Sequence, residues 1–497
     1  FFNEYSQEIS YVELGYISID EVYKKIYQKE PLNLNEVFIE NFSIDEYKKK
    51  YGINETVNIE LIDFSAQKTI FHSDSQTLFD GIIFKNKPVS FEKSLFIKGS
   101  VNFDNVIFEE GNANFNSVIF FNGNVSFYNV NFVKGNINFK NSIWGLGIKN
   151  FQYAFWGNDN VFFANSTFAD GNISFVNCAF GDGELSFKIC VFGKGKIDFR
   201  FAVFGNTHLT FERANLNDGL VDFSKTEFGE AKINFNKATI GKGELSFDET
   251  EMKEGKLLFK QLYFEEGSLH FDEAQLTNSN LNFARSIFKQ VNISFYKSKL
   301  QELSFEACQL NSYCDIVDIS SEKNPHALSS LNIFGTRLMG RIFLSWKTNN
   351  VYQMIQNNEG GHYEKSWQYN LLKQNFNTIG QYYDEDSAYV AFKREELKLK
   401  KEQQKGKHWL KKLFRYTILA FQKLVFDKMG LYATSPIRVF YSIIVGWFIF
   451  GFIFSVFHFL GWGKTWSSVG NPDHISIVAQ SFYHSSITFF TIGYGDV

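Results

Sequence analysis

The chain has 497 residues, enough for two or three domains, and its net charge is −4. This balance gives no strong attraction to nucleic acid or to an anionic membrane surface. The four cysteines and nine histidines follow no metal-ligand spacing, and the sequence has no phosphate loop or nucleophile motif. We therefore predict that the protein is not an enzyme, and we expect no cofactor, no resident metal ion and no nucleic-acid partner.

The first 60 residues show no clear period and mix polar with apolar side chains. We predict that residues 1–60 form a mixed, partly helical cap over one end of the repeats that follow. The opening residues Phe1–Leu14 are too polar for a cleavable signal peptide. We therefore place the N-terminal part of the chain in the cytoplasm, where its cysteines stay reduced.

An internal repeat explains the 59 phenylalanines, which are far more than a typical chain contains. Phe recurs every 12 residues from Phe79 to Phe295 without a miss. Another apolar residue follows each of them by five positions, an aliphatic residue usually precedes it by two, and Gly often follows by eight. A fixed period of this kind is typical of a solenoid. Alternation within each half of the unit predicts short strands, with Gly and Asn at the corners.

The unit resembles the pentapeptide-repeat right-handed β-helix, with two extra residues at alternate corners. A 12-residue loop is too small to enclose stacked phenylalanines, so we expect about 24 residues per coil. An antiparallel sandwich of short strands is the alternative, but it does not explain the strict register. We assign residues 61–346 to the solenoid, with Leu331–Ile333 and Arg341–Trp346 in a last irregular coil. We interpret Cys178, Cys190 and Cys308 as small buried core residues.

Residues 347–430 change to a helical pattern, with one helix from about His362 and another after the start signal at Asp384. This segment resembles the linker of bacterial channels that carry pentapeptide-like repeats. The resemblance implies that it joins the solenoid to a pore, although a solvated linker helix is an open alternative. Any ligand or protein partner of the solenoid is not predictable from these residues.

The end of this connector is basic. Lys393–Arg438 contains thirteen Lys or Arg and four acidic residues, a bias that marks the cytoplasmic side of a membrane helix. The apolar residues of this stretch that share one helix face predict an interfacial helix on the inner leaflet, with a soluble amphipathic helix as the alternative. They are Leu410, Leu413, Phe414, Phe421 and Leu424.

A membrane-spanning helix is predicted over residues 438–462. No Asp, Glu, Lys or Arg lies between Arg438 and Lys464, and a bilayer core requires ~20 apolar residues. The shorter apolar stretch at residues 475–490 follows the helix-start residues Pro472 and Asp473, and it is too short to span a membrane. We predict a re-entrant pore helix whose C-terminal dipole favours a cation.

The last seven residues, Thr491 to Val497, read Thr-Ile-Gly-Tyr-Gly-Asp-Val. They match the TVGYG signature of K⁺-channel selectivity filters, with Ile492 in place of Val. From about Pro436 onward the chain resembles the two-transmembrane-helix potassium channels. The resemblance implies four subunits around one pore and K⁺ bound by main-chain carbonyls and the threonine hydroxyl. The predicted K⁺ site comprises Thr491, Ile492, Gly493, Tyr494, Gly495 and Asp496.

These features predict a pore-forming subunit of a homotetrameric potassium channel, in the plasma or inner membrane of a bacterium, with a cytoplasmic solenoid. The alternative is a membrane-anchored β-helix scaffold or sensor whose pore element does not conduct. Channels of this family have a second transmembrane helix after the filter, whereas this sequence begins at Phe1 and stops at Val497. We therefore expect it to be part of a longer open reading frame, with a partial pore domain at residues 431–497.

Overall fold

A computed structural model describes residues 14–85, 87–319, 328–403, 409–463 and 476–490. The chain divides into two compact units, Phe1–Glu359 and Gly360–Val497. The first is a parallel β-solenoid of about 13 turns and the second is helical. The finer boundaries at residues 60, 346 and 430 stay predictions.

The solenoid repeats every 24 residues, as the sequence predicts. Ile119 pairs with Ile143, which in turn pairs with Thr167, and all three strands run parallel. Each coil therefore contains two 12-residue units. The strands of the described residues are as follows: Gly15–Tyr16, Val37–Glu40, Ile59–Ile62, Ile70–Leu78, Ile82–Lys85, Val89–Ser90, Leu95–Asn102, Ile107–Phe108, Ala113–Asn114, Ile119–Asn122, Val125–Ser126, Asn131–Phe132, Ile137–Asn138, Ile143–Leu146, Lys149–Asn150, Val161–Phe162, Thr167–Phe168, Ile173–Ser174, Ala179–Phe180, Glu184–Ser186, Val191–Phe192, Gly195–Asp198, Val203–Phe204, His208–Thr210, Gly219–Asp222, Glu227–Asn234, Thr239–Ser246, Glu251–Leu258, Tyr263–His270, Gln275–Asn282, Ile287–Ser294, Lys299–Ser304, Gln309–Leu310, Tyr313–Asp315, Ser330–Asn332, Arg337–Leu338 and Arg341–Phe343.

Columns of stacked rings fill the interior. Phe175 and Phe199, one coil apart, lie with ring centroids 4.7 Å apart and planes 5° from parallel. Phe187 lies in the second column and meets Phe175 nearly edge to face, at 5.9 Å and 70°. Both offset-stacked and edge-to-face contacts suit the aromatic quadrupole. The 12-residue spacing therefore places successive phenylalanines in alternate columns of one continuous core.

The corners use the left-handed backbone conformation at two positions of the unit. The residue two places after each stacked Phe has φ near +57°, and it is often not Gly or Asn, as at Ile189 and Phe201, which both have φ +60°. Glycine occupies the other corner in several of the early coils, where the backbone requires it. Gly147 has φ +118°, and a Cβ there would lie 2.5 Å from the carbonyl oxygen of Gly123.

Ion pairs between residues 24 apart join neighbouring coils on the outside. Lys134 meets Glu110 at 2.8 Å and Lys242 meets Glu266 at 2.8 Å, both largely exposed. Each such pair contributes little in water. Their common offset nevertheless favours one register of the coils over its neighbours.

Two helices are inserted in the first coils, α1 (Ile19–Tyr27) and α2 (Ile44–Tyr51). The side chains of Ser18 and Ser43 cap their N-termini. The N-terminal region is mixed, yet its strands at residues 15–16 and 37–40 already belong to the parallel ladder. The capping region is thus continuous with the coils.

The last coil is covered by helix α3 (Val351–Gln356). Just after it, Asn357 donates to the carbonyl of Ser329 at 2.6 Å, and Asn358 donates to the carbonyl of Leu331 at 2.7 Å. These bonds satisfy main-chain acceptors that a sheet edge leaves open. The strands at residues 330–332 and 341–343 confirm the predicted irregular last coil.

The second unit is helical in its described residues. Its helices are α4 (His362–Ile379), α5 (Tyr382–Glu402), α6 (Trp409–Gln422), a π-helical segment (Lys423–Met429), a short 3₁₀ turn (Leu431–Ala433), α7 (Pro436–Phe459) and α8 (Ile477–Phe490).

Candidate membrane segment and pore site

The two connector helices α4 and α5 form a hairpin held by a buried carboxylate. Glu395 of α5 is fully buried, and its Oε2 lies 2.6 Å from Nδ1 of His362, the first residue of α4. Lys398 donates to the other oxygen at 2.7 Å. A buried carboxylate requires such partners, because its desolvation is otherwise unfavourable. The start of α4 at His362 confirms the predicted helix start.

A second buried carboxylate ties α5 to the segment that leads into the long apolar helix. Asp427 is 5% exposed, and Arg394 contacts its Oδ1 through Nε at 3.0 Å and Nη2 at 2.8 Å. Arg presents its donors in a planar fork, which suits a fixed contact of this kind. No sequence pattern indicated this pairing, since the two residues lie 33 positions apart.

Helix α6 and the segment after it leave large apolar side chains in contact with solvent. Leu413, Phe414, Phe421 and Leu424 are each 57–69% exposed. These four belong to the predicted interfacial face, and the side chain of Leu410 lies outside the described residues. An exposed apolar face of this size is typical of a surface that meets a membrane or a partner.

Helix α7 is the one described helix that is long and apolar enough to cross a membrane. It begins with Pro436 behind the N-cap Ser435, whose side chain accepts from the amide of Arg438. Its 24 residues give a length of about 36 Å. Only 11% of the apolar 18-residue stretch within this helix is buried, whereas the core helix of a soluble protein is mostly buried.

Helix α8 packs against α7 through a polar contact in apolar surroundings. The indole Nε1 of Trp447 donates to Oγ of Ser486 at 2.7 Å and approaches the carbonyl of Phe482 at 3.2 Å. In return, Oγ of Ser485 donates to the carbonyl of Trp447 at 2.9 Å. At about 21 Å, α8 is too short to span a bilayer core of ~30 Å.

Close approach of the two helices depends on Gly451. A Cβ at this position would lie 2.7 Å from the ring of Phe482, so a larger residue requires the ring or one of the helices to shift. The contacts of Gly451, Trp447 and the serines of α8 were not predicted from the sequence. A signal was available, because a tryptophan within an apolar stretch needs an acceptor for its N–H.

The predicted K⁺ site itself lies outside the described residues. This holds for Thr491, Ile492, Gly493, Tyr494, Gly495 and Asp496, and also for the helix-start residues Pro472 and Asp473. The described part of the predicted pore helix is helical over Ile477–Phe490, and the described part of the predicted outer helix over Pro436–Phe459.

The solenoid cysteines Cys178, Cys190 and Cys308 are buried, as predicted, and Cys314 is buried as well. Burial raises the pKa of the Cys178 and Cys190 thiols to about 12. Each thiol lies three residues after a stacked Phe and donates to a carbonyl of the neighbouring coil, at 2.8 Å for Cys178 and 2.9 Å for Cys190. These groups are structural and unreactive.

Comparisons with protein-family models, curated protein sequences and solved structures found no match. The fold defines a parallel β-solenoid followed by C-terminal helices, of which one is a candidate membrane-spanning helix.

Proposed function

We propose that this chain is the pore-forming subunit of a tetrameric potassium-selective channel with a cytoplasmic β-solenoid domain. The observation that supports this most is the order of three segments in the chain, together with the packing of the first two. A 24-residue apolar helix is followed by a 14-residue helix packed against it, and the sequence of Thr491–Asp496 comes directly afterwards. Each segment has the length that its role requires.

The filter chemistry follows from glycine and main-chain carbonyls. In the proposed channel, four copies of Thr491–Tyr494 direct carbonyl oxygens toward the axis and replace the hydration shell of K⁺. Gly493 and Gly495 permit backbone angles that a Cβ forbids. The carbonyl end of α8 carries a partial negative charge, which favours a cation at that end.

The proposed orientation places the solenoid in the cytoplasm. The excess of Lys and Arg over Lys393–Arg438 supports this side, and so do the exposed apolar side chains of α6, which suit the inner leaflet. The filter then enters the membrane from outside. The contact between Arg394 and Asp427 joins the connector hairpin to the segment that leads into α7.

Ion flux tests the proposal directly. The complete gene product is reconstituted in liposomes, and K⁺ and Na⁺ fluxes are measured for the wild type, Gly493→Ala and the control Gly463→Ala. Among the described residues, no atom lies within 4 Å of a Cβ built at Gly463, so its substitution is expected to be neutral. We expect K⁺-selective flux that only Gly493→Ala abolishes. Inserted protein without K⁺ flux would overturn the proposal and favour the membrane-anchored solenoid scaffold or sensor.

A further inference from the structure

One corner of the solenoid brings together two carboxylates and an imidazole from consecutive coils. Phe247 and Phe271 stack at 5.0 Å in the core. Asp248 and Asp272 directly follow these rings, and His270 directly precedes the second one. Their potential ligand atoms all lie within 4.8 Å of one another, and Nδ1 of His270 is 4.0 Å from Oδ2 of Asp272.

The main chain holds the two carboxylates in place. Oδ1 of Asp248 accepts from the amide of Asp272 at 2.8 Å. Oδ1 of Asp272 accepts from the amide of Tyr296 at 3.0 Å and from the hydroxyl of Ser294 at 2.5 Å. Each carboxylate is thus anchored through one oxygen. The imidazole of His270 lies beside them and is 29% exposed.

A second acid pair on the same ladder of coils provides an internal comparison. Asp198 and Asp222 are also stacked one coil apart. They are neutralised by Lys196, at 3.0 and 2.7 Å, and by Arg200, at 2.8 and 3.5 Å. Here the chain supplies its own cations, which offset the cost of burying two adjacent carboxylates.

Among the described residues, no Lys or Arg pairs with Asp248 or Asp272. The lysines next along the corner pair elsewhere, Lys225 with Glu249 at 3.5 Å and Lys297 with Glu273 at 3.7 Å. Two stacked carboxylates are therefore left without a built-in counter-cation. The group beside them is an imidazole, which is a metal ligand when neutral.

We propose that Asp248, His270 and Asp272 bind one divalent first-row transition-metal ion, with Zn²⁺ as the best match. Imidazole selects this class over Mg²⁺ and Ca²⁺, which prefer all-oxygen sites. Bond lengths of about 2.0–2.2 Å place ligand atoms roughly 3–4 Å apart, so shifts of about 1 Å complete the site. Three protein ligands leave a fourth position open to water or to a donor from another molecule.

The sequence could not reveal this site. The spacing between Asp248 and His270 is nearly one coil, and it corresponds to no recognised zinc motif. The ion would bridge two coils on the surface of the solenoid. The site does not depend on the proposed channel function.

Metal titration of the purified chain in detergent tests the inference. After treatment with EDTA and its removal, Zn²⁺ binding is measured by calorimetry, and Co²⁺ absorption reports the ligand geometry. We expect one Zn²⁺ per chain at this corner, at least about tenfold weaker binding in His270→Gln and Asp272→Asn, and unchanged binding in the control His208→Gln. Zn²⁺ should also raise the melting temperature of the wild type and not that of His270→Gln.

The variants are compared by circular dichroism without metal, so that misfolding is distinguished from ligand loss. Absence of saturable Zn²⁺ binding in the wild type would overturn the inference. Equal affinities in the wild type and in a correctly folded His270→Gln protein would overturn it as well.

Discussion

The indole nitrogen of Trp447 lies 2.7 Å from the hydroxyl oxygen of Ser486, and this hydrogen bond joins the long apolar helix α7 to the short helix α8. It lies one turn from the close approach of Gly451 to Phe482. The two contacts fix both the rotation and the separation of the helices. Helix α8 directly precedes the sequence of the proposed filter, so these contacts are the described ones nearest to it in the chain.

Substitution of Gly451 by Leu should separate these helices. The new side chain would overlap the ring of Phe482, and overpacking of this kind costs about 1–3 kcal/mol. We expect a lower melting temperature for the detergent-solubilised protein. The control is Val445→Leu, at a position 55% exposed on the same helix, which should melt like the wild type. A melting temperature of the Gly451→Leu protein equal to that of the wild type would contradict the close packing of Gly451 against Phe482.

The stacked columns should dominate the stability of the solenoid. Phe199 is fully buried between Phe175 and Phe223, so Phe199→Ala should lower the free energy of unfolding by about 3–5 kcal/mol. Phe201, two residues later, is 48% exposed. The substitution Phe201→Ala should therefore change the free energy of unfolding by about 0.5 kcal/mol or less. Urea denaturation followed by circular dichroism measures both. A similar decrease in the free energy of unfolding for both variants would show that the stacked columns do not dominate the stability of the solenoid.

Lys149 lowers the stability of the solenoid at neutral pH, because its protonated side chain is buried. Its side chain is buried where other units carry an aliphatic residue, and it donates to the carbonyls of Ala169 and Asp170 at 3.1 and 3.4 Å. Burial lowers the pKa of Lys149 to about 8. Between pH 8 and about 10.5 the unfolded chain binds a proton that the folded chain has lost, so stability rises with pH in this window.

Lys149→Met should therefore stabilise the protein at pH 7, by up to about 3 kcal/mol. The advantage should shrink from pH 8 upward and vanish above about pH 10.5. Denaturation at several pH values measures it, with the exposed Lys253→Met as the control. If the extra stability of Lys149→Met does not change with pH, it arises from packing alone and not from the charge of Lys149.

Breaking the contact between Arg394 and Asp427 should loosen the attachment of α5. Arg394→Gln leaves the carboxylate of Asp427 buried without its cation, which costs about 3–5 kcal/mol. We expect faster amide hydrogen exchange over Lys423–Met429. The double variant Arg394→Gln/Asp427→Asn removes the charge as well, and it should recover part of the protection. No recovery in the double variant would mean that the arginine acts by packing.

The thiols of the solenoid should resist alkylation. Burial raises the pKa of Cys308 to about 12, and its sulfur donates to the carbonyl of Phe283 at 2.8 Å. At pH 8 the folded protein should react with maleimide only as fast as it opens, and all four cysteines should react in denaturant. Rapid labelling of the native protein, followed by mass spectrometry of the peptides, would contradict this burial.

Periodicity explains why the solenoid was predictable. The invariant 12-residue spacing of Phe fixes which side chains face inward, and the size of a ring fixes how many residues must enclose it. The 24-residue coil and its core follow from these two facts, and the structure confirms both. The inserted helices at residues 19–27 and 44–51 carry no such period, so the sequence indicated only a mixed region.

Contacts between coils were not predictable in the same way. The corner position two residues after each Phe accepts Ile189 and Phe201 in the left-handed region, because the fold imposes the turn there. The pairing of Lys134 with Glu110 is visible only once the coil length is known. The filter was predicted from a motif that lies outside the described residues, whereas the contact of Trp447 with Ser486 required the packing of two helices.

The constant 24-residue register makes the length of the solenoid adjustable in whole steps. Insertion of a single residue would turn every later ring out of its column, because side chains alternate between the two faces of a strand. Duplication or deletion of an entire coil preserves each neighbour contact and shifts the far end by about 4.8 Å. The number of coils therefore sets the distance between the first coil and the last, and this distance can change by one coil at a time without any new kind of contact.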